Sequence, residues 1–220
     1  TAASNGSVNA MHDSFTPIGG MVPIVLMALG EVVFGGVGCG LYGMLGFVIL
    51  TVFIAGLMVG RTPEYLGKKI GPKEMRMAVI LCITTPLLIL VGAGIMSLDP
   101  ATANSLNNPG VHGFSEVLYA ATSAGGNNGS AFAGFNGNTP LINLVLGFEM
   151  LANRFIPIAA VCVLAGSLAV RPKVATSAGT LSTSNALFVF LLVLMVLLIG
   201  ALTMFPALAL GPVAEQLMMV

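Results

Sequence analysis

The chain has 220 residues, 56% of them hydrophobic and only 7% charged, with a mean hydropathy of +1.00. Soluble domains carry about 25% charged residues, so this composition describes an integral membrane protein. Eight Lys and Arg balance eight Asp and Glu, which excludes a basic nucleic-acid-binding face. Cys39, Cys82 and Cys162 lie in separate apolar runs and read as buried free thiols.

The first ten residues, Thr1-Ala2-Ala3-Ser4-Asn5-Gly6-Ser7-Val8-Asn9-Ala10, form a polar loop of small side chains. Its Asn5-Gly6-Ser7 returns 123 positions later as Asn128-Gly129-Ser130, inside the uncharged stretch Ala124–Ala133. Glycine tolerates positive φ, so such backbone can turn its carbonyls inward. Within a bilayer, irregular chain is tolerated only where it is buried in protein or lines a water-filled path. Rings of carbonyls that replace a cation's hydration shell form selectivity filters. The duplicated loop therefore predicts a pore built of repeats. The chain opens in a polar loop with no helix before it and reads as the C-terminal part of a longer protein.

From Thr16 to Gly60 the only ionisable residue is Glu31. This is more than twice the roughly 20 residues one membrane helix needs. Five glycines in nine positions, Gly35, Gly36, Gly38, Gly40 and Gly43, predict a break within one crossing. Ala55-Gly56 precedes Arg61 as Ala165-Gly166 precedes Arg171, so the two ends are equivalent and belong on one side of the membrane. Arg61–Arg76 is a charged loop, with Arg61, Lys68, Lys69, Lys73 and Arg76 against Glu64 and Glu74; Arg171 and Lys173 mark a second one. The positive-inside rule assigns both to the cytoplasm.

Met77–Leu98 then reads as an outward span, with a kink at Pro86, and Asp99–Gly113 as an outer loop. Phe114–Ser123 is a helix too short to span, running into the second filter loop with its partly negative end facing the ion. Leu141–Val170 returns and Ala186–Leu210 crosses outward. The organisation is a filter loop and broken helix over 1–60, cytoplasmic loops at 61–76 and 172–185, a complete repeat over 77–171 and a final helix over 186–210. The fold class is all-α: membrane-embedded repeats of helix, pore loop and helix.

Other motifs carry less. Gly38-x-Gly40-x-x-Gly43 matches a dinucleotide fingerprint but lacks the soluble βαβ context and acidic residue that the fingerprint needs. His12-Asp13-Ser14, and His112 with Ser115 and Glu116, contain the residue types of a hydrolase triad, though adjacent residues rarely have triad geometry. They read as polar rims, with Asp13, Asp99 and Glu116 attracting cations. Glu31 lies 25 residues beyond Gly6 and Arg154 lies 25 beyond Gly129. Ionisable residues inside spans usually pair, so these two are expected to form an ion pair below the filter, with Glu149 a weaker candidate.

Ser4–Ser14, the run Arg61–Ile70 (Arg-Thr-Pro-Glu-Tyr-Leu-Gly-Lys-Lys-Ile) and Thr122–Gly134 resemble KdpA, the potassium-translocating subunit family of bacterial Kdp P-type ATPases. The resemblance covers the whole chain. It implies four repeats in the complete protein, of which this chain holds the third filter loop onward, the fourth repeat and the last helix. It also implies potassium as the transported ion, held by backbone carbonyls of Gly6 and Gly129 within filters formed by Asn5, Gly6, Ser7, Asn128, Gly129 and Ser130. The glycines at 35–43 become an intramembrane gate, and Arg61, Lys68, Lys69 and Lys73 a docking face for the P-type ATPase catalytic subunit, alongside small accessory membrane subunits. No Asp-Lys-Thr-Gly and no P-loop occur in this sequence, so the implied role is non-hydrolytic. Two alternatives are a free-standing Trk- or Ktr-like potassium transporter and a membrane-embedded hydrolase using His12 or His112.

Overall fold

Two prolines 123 residues apart, Pro17 and Pro140, each open a helix after a threonine. Proline suits this position because its missing N–H would be unpaired there anyway and its φ is already helical. Gly20 N donates to Thr16 O at 2.8 Å, and Asn143 N to Thr139 O at 2.9 Å, so both helices start with the same geometry. Their continuations differ. Helix α1 (Pro17–Gly30) stops after 14 residues and the chain resumes as α2 (Cys39–Met58), whereas α6 (Pro140–Val170) runs unbroken for 31. Gly6 and Arg61 are 55 residues apart but Gly129 and Arg171 only 42. The first copy therefore carries thirteen extra residues, and the glycine-rich break accommodates them.

The structure is a computed structural model that describes all residues except 31, 34, 37, 38, 176–179 and 220. The expectations for Glu31 and Gly38 fall outside the described residues. Among those described, the remaining elements are a short 3-10 turn (His12–Ser14), a two-stranded antiparallel hairpin, β1 (Glu64–Tyr65) and β2 (Lys68–Lys69), and α3 (Pro72–Leu98), α4 (Pro100–Ala103), α5 (Val111–Gly126), α7 (Ala186–Leu208) and α8 (Ala214–Met218). A π-helical turn, Ala209–Val213, joins α7 to α8. Four stretches are long and apolar enough to cross a membrane: Cys39–Met58, Pro72–Leu98, Pro140–Val170 and Ala186–Met218. The protein is an all-α, multi-pass membrane protein.

Helices α3, α5 and α6 form the core of the complete repeat, where Ile89, Ala93 and Met96 meet Val117, Leu118, Ala121 and Ile142. A second cluster near the charged end joins α2, α3, α6 and α7 through Val48, Ile49, Val52, Ala78, Leu164 and Phe188. Phe148, Phe155, Leu202 and Phe205 point outward, a cost in water that hydrocarbon removes.

Several sequence expectations shift. Helix α3 begins at Pro72, so Lys73, Glu74 and Arg76 are helical, and it continues through Pro86. The pore-type helix α5 extends over Ala124–Gly126, the first residues of the expected loop. Gly40 and Gly43 lie inside α2. Cys162 is exposed on α6, not buried, because that face of α6 looks outward from the bundle.

Candidate functional site

The two Asn-Gly-Ser loops share their entry and their asparagine turn but differ at the central glycine, where Gly129 has a positive φ and Gly6 does not. Ser4 (φ 53°) and Asn127 (φ 51°) are corresponding residues, and both are left-handed without being glycine. Ser4 N donates to Thr1 O at 3.2 Å and Asn127 N to Ala124 O at 3.1 Å. Ser7 N donates to Asn5 Oδ1, and Ser130 N to Asn128 Oδ1, both at 2.8 Å. Asparagine favours this because its side-chain oxygen can accept from the backbone two residues on. A left-handed residue then ends the helix ahead of the loop, as Asn127 does for α5.

The loops also meet. A Cβ added to Gly6 would lie 2.6 Å from Asn128 O and 2.9 Å from the carbonyl carbon of Gly129. Gly6 is thus required by close approach of the other loop. Gly129 faces open space but has φ +75°, so its requirement is conformational. Ser4 Oγ donates to Gly126 O at 2.9 Å, joining the first loop to the end of α5. The partly negative C-terminus of α5 therefore lies against both loops.

A polar scaffold holds this arrangement. Ser123 Oγ donates to Asn128 Oδ1 at 2.8 Å, and Asn127 Nδ2 to Met150 O on α6 at 3.2 Å. Buried Ser130 shares a 2.6 Å hydrogen bond with Tyr119, whose hydroxyl is 2.7 Å from His12 Nδ1. Tyr119 stacks on Phe132, ring centroids 4.1 Å apart. Sequence reasoning missed Tyr119; its only signal was a lone aromatic hydroxyl on an otherwise small-residue helix.

The break lies directly beneath the first loop. Gly35 N donates to Ala2 O at 3.0 Å. A Cβ on Gly30 would be 2.9 Å from Ala2 O, and one on Gly36 would be 3.1 Å from Ser4 Cβ. Gly35 has φ +60°, and a Cβ there would meet Gly40 N at 2.5 Å and Gly30 O at 2.6 Å. Only glycine fits at position 35, between the end of α1 and the start of α2.

At the end of the bundle opposite the charged loops, His112 sits between two carboxylates, Nε2 to Asp13 Oδ1 and Nδ1 to Glu215 Oε1, each at 2.9 Å. Burial pulls its pKa down, but hydrogen bonds and charge from Asp13 and Glu215 outweigh this and raise it above the ordinary value. Ligand-type atoms of Asp13, His112 and Glu116 lie within 4.8 Å of one another. The other Asp13 oxygen and both Glu116 oxygens accept from the amides of Asn107 and Asn108, so the cluster is a closed hydrogen-bond network. No triad forms here. His12 bonds Tyr119, Asp13 bonds His112, and Ser14 Oγ donates to Met11 O, while Ser115 Oγ has no hydrogen-bond partner among the described residues.

At the charged end, Lys68 Nζ donates to Leu168 O at 2.5 Å and Ala169 O at 3.2 Å, binding carbonyls of the last turn of α6. Arg61 is exposed and reaches Thr180 O at 3.3 Å. Lys69 and Lys73 are exposed. Glu74 is fully buried and holds Arg171 through both oxygens, at 2.8 to 3.1 Å, as well as Ser167 Oγ and Gly71 N. Arg154 is half-buried on α6.

The model of one protein family, described as the potassium-transporting ATPase A subunit, matches residues 1–217. The potassium-transporting ATPase potassium-binding subunit of Clostridium botulinum is 70% identical over 215 residues, covering 98% of this chain and 37% of that protein. The subunit of the same name from Desulfovibrio desulfuricans is 69% identical over 219 residues, 100% of this chain and 38% of the relative. That of Listeria monocytogenes is 60% identical over 215 residues. The chain spans well under half the length of these relatives, and it belongs to the KdpA family.

Proposed function

We propose that this chain forms part of the potassium-binding and potassium-translocating subunit of an ATP-driven uptake pump. The observation that carries the reading is the pair of Asn-Gly-Ser loops, alike in their left-handed entry residues and asparagine turns and packed against each other at the end of α5. Backbone carbonyls of Gly6 and Gly129, with their Asn and Ser neighbours, contribute to a filter that replaces the hydration shell of K+. The relatives are named as potassium-binding subunits of a potassium-transporting ATPase, which favours this reading over a Trk- or Ktr-like transporter. The catalytic P-type subunit supplies ATP hydrolysis, and small accessory membrane subunits complete the complex.

Three further roles belong to the proposal. Gly35, Gly36 and Gly38, with the start of α2 at Gly40 and Gly43, act as a movable gate under the filter. Glu31 and Arg154 form a charge pair that stops cations passing straight through; if Arg154→Ala and Glu31→Ala both leave transport coupled and leak-free, that role is lost. Arg61, Lys69 and Lys73 dock the ATPase subunit, with Lys68 holding the platform together through α6. The decisive experiment purifies the full-length protein with its membrane partners and measures ATP hydrolysis against K+ and Na+. Co-purification of a large ATPase with K+-stimulated turnover is expected. A chain that transports K+ alone would favour the Trk- or Ktr-like reading, and turnover indifferent to K+ would reject both.

A further inference from the structure

Glu149 and Asn153 lie four residues apart on α6, hence on one face, and they are 2% and 3% exposed. Neither carboxylate oxygen of Glu149 and neither amide atom of Asn153 has a hydrogen-bond partner among the described residues. The face they share is turned into the complete repeat. A Cβ on Gly92 of α3 would lie 2.8 Å from Glu149 Oε2, and one on Gly125 of α5 would lie 3.3 Å from Asn153 Nδ2. Gly92 leaves room for the Glu149 carboxyl group, whereas Gly125 is required first by Ile89, 2.6 Å from its added Cβ, with Asn153 beyond it. The corresponding residues of the first copy, 123 positions earlier, are Leu26 and Gly30, so the repeat architecture does not itself require a polar pair here.

The pair is adjacent to the second Asn-Gly-Ser loop. Met150, next to Glu149, accepts from Asn127 Nδ2 at 3.2 Å, and Asn127 is the left-handed residue that starts the loop. No cation balances the carboxyl group on these walls. Arg154 is five residues beyond Glu149 and faces elsewhere on the helix. On the two packed helices, Glu74 at the charged end of α3 holds Arg171 and Glu116 of α5 accepts from Asn107 and Asn108, while Lys73 and Arg76 lie in the first turns of α3, sixteen or more residues before Gly92. A lone carboxylate at bilayer depth is strongly disfavoured unless it is neutralised.

We propose that Glu149 and Asn153 form a proton-holding polar site behind the second filter loop, in which a neutral Glu149 carboxyl group and trapped water steady the loop through Met150 and Asn127. The role of the loop rests on the filter reading above; the protonated carboxyl group does not. A neutral carboxyl supplies one O–H donor and retains acceptor capacity, and the Asn153 amide supplies both donor and acceptor. One or two waters between them satisfy all four atoms, as buried polar groups require. The site is a positioning site.

The test uses infrared spectroscopy and rubidium binding on the full-length protein in its complex. The wild type should show the carbonyl-stretch band of a protonated carboxyl, shifting slowly in deuterium oxide, and Glu149→Gln should remove that band. If Glu149→Gln does not assemble, Glu149→Asp serves instead by displacing the band. Rubidium affinity should fall about tenfold in Glu149→Ala, the effect of losing one buried hydrogen bond, and recover in Glu149→Gln. Absence of a protonated band assignable to Glu149 overturns the proposal. An assembled Glu149→Gln complex that binds rubidium as poorly as Glu149→Ala also overturns it, because the group would then be an ionised cation ligand. If the band is present but neither variant changes rubidium affinity, the proton site stands and its link to the filter falls.

Discussion

Gly6 packs so closely on Gly129 that a Cβ on the first would lie 2.9 Å from the carbonyl carbon of the second, yet the reverse substitution meets nothing within 4 Å. The two equivalent glycines are thus required for different reasons. Gly6→Ala must push the neighbouring loop aside. Gly129→Ala places an L-residue at φ +75°, a strain of about 1–2 kcal/mol, or roughly tenfold in K+ affinity. Gly129→Asn should be milder, since asparagine adopts this conformation more readily. Rubidium binding to the full-length protein checks the order: wild type tightest, then Gly129→Asn, Gly129→Ala and Gly6→Ala. Equal affinity in all four would remove both loops from the ion site.

The break and the first loop are mechanically joined through Gly36 and Ser4. Gly36→Ala brings a methyl group to 3.1 Å from Ser4 Cβ, and Ser4 holds the end of α5. Gly36→Ala is therefore expected to change transport rate and K+ affinity together. Gly35→Ala, with clashes near 2.5 Å against backbone, should reduce the folded yield instead. Transport kinetics with Gly36→Ala identical to the parent's would show that this contact is only packing.

The basic residues at the charged end should separate into two groups. Lys68→Glu removes the group that binds the last carbonyls of α6 and puts a negative charge at its negative end, lowering thermal stability by about 1 kcal/mol. Arg171→Ala leaves buried Glu74 with only Ser167 and Gly71 as partners, costing about 2 kcal/mol after allowance for the partly exposed arginine. Lys69→Glu and Lys73→Glu, both at exposed positions, should leave stability within about 0.5 kcal/mol and lower the yield of the assembled complex. Thermal unfolding in detergent and pull-down of partner subunits distinguish the groups.

His112 makes the cluster with Asp13 and Glu215 sensitive to pH. Its raised pKa means that the folded state binds its proton more tightly than the unfolded chain does. The stabilisation is therefore complete below the unfolded value of about 6.5 and is lost as pH rises through the raised folded value. Thermal stability should decline as pH rises from about 6.5 through the raised folded value, as the hold of Asp13 and Glu215 weakens. His112→Gln should flatten that dependence. A pH profile unchanged by His112→Gln would assign the effect to other groups.

Composition and periodicity alone established a membrane protein, the four apolar stretches, the short helix before the second loop and the duplicated Asn-Gly-Ser. These are local properties: burial in lipid demands long apolar runs, and Asn5 and Asn128 bond their own loops. The break after Gly30 was legible because clustered glycines make poor helix. The tertiary structure decided what depends on approach between distant segments. It brought Gly6 onto Gly129, Gly36 onto Ser4 and Lys68 onto the end of α6, and it divided His12, Asp13 and Ser14 among three separate partners. Glu149 shows the limit most clearly. In sequence it is one acid in an apolar run, with Asn153 on its face and an arginine five residues on; only the packing of α3 and α5 shows that the face shared with Asn153 is the buried one, because burial is set by which helix covers which face.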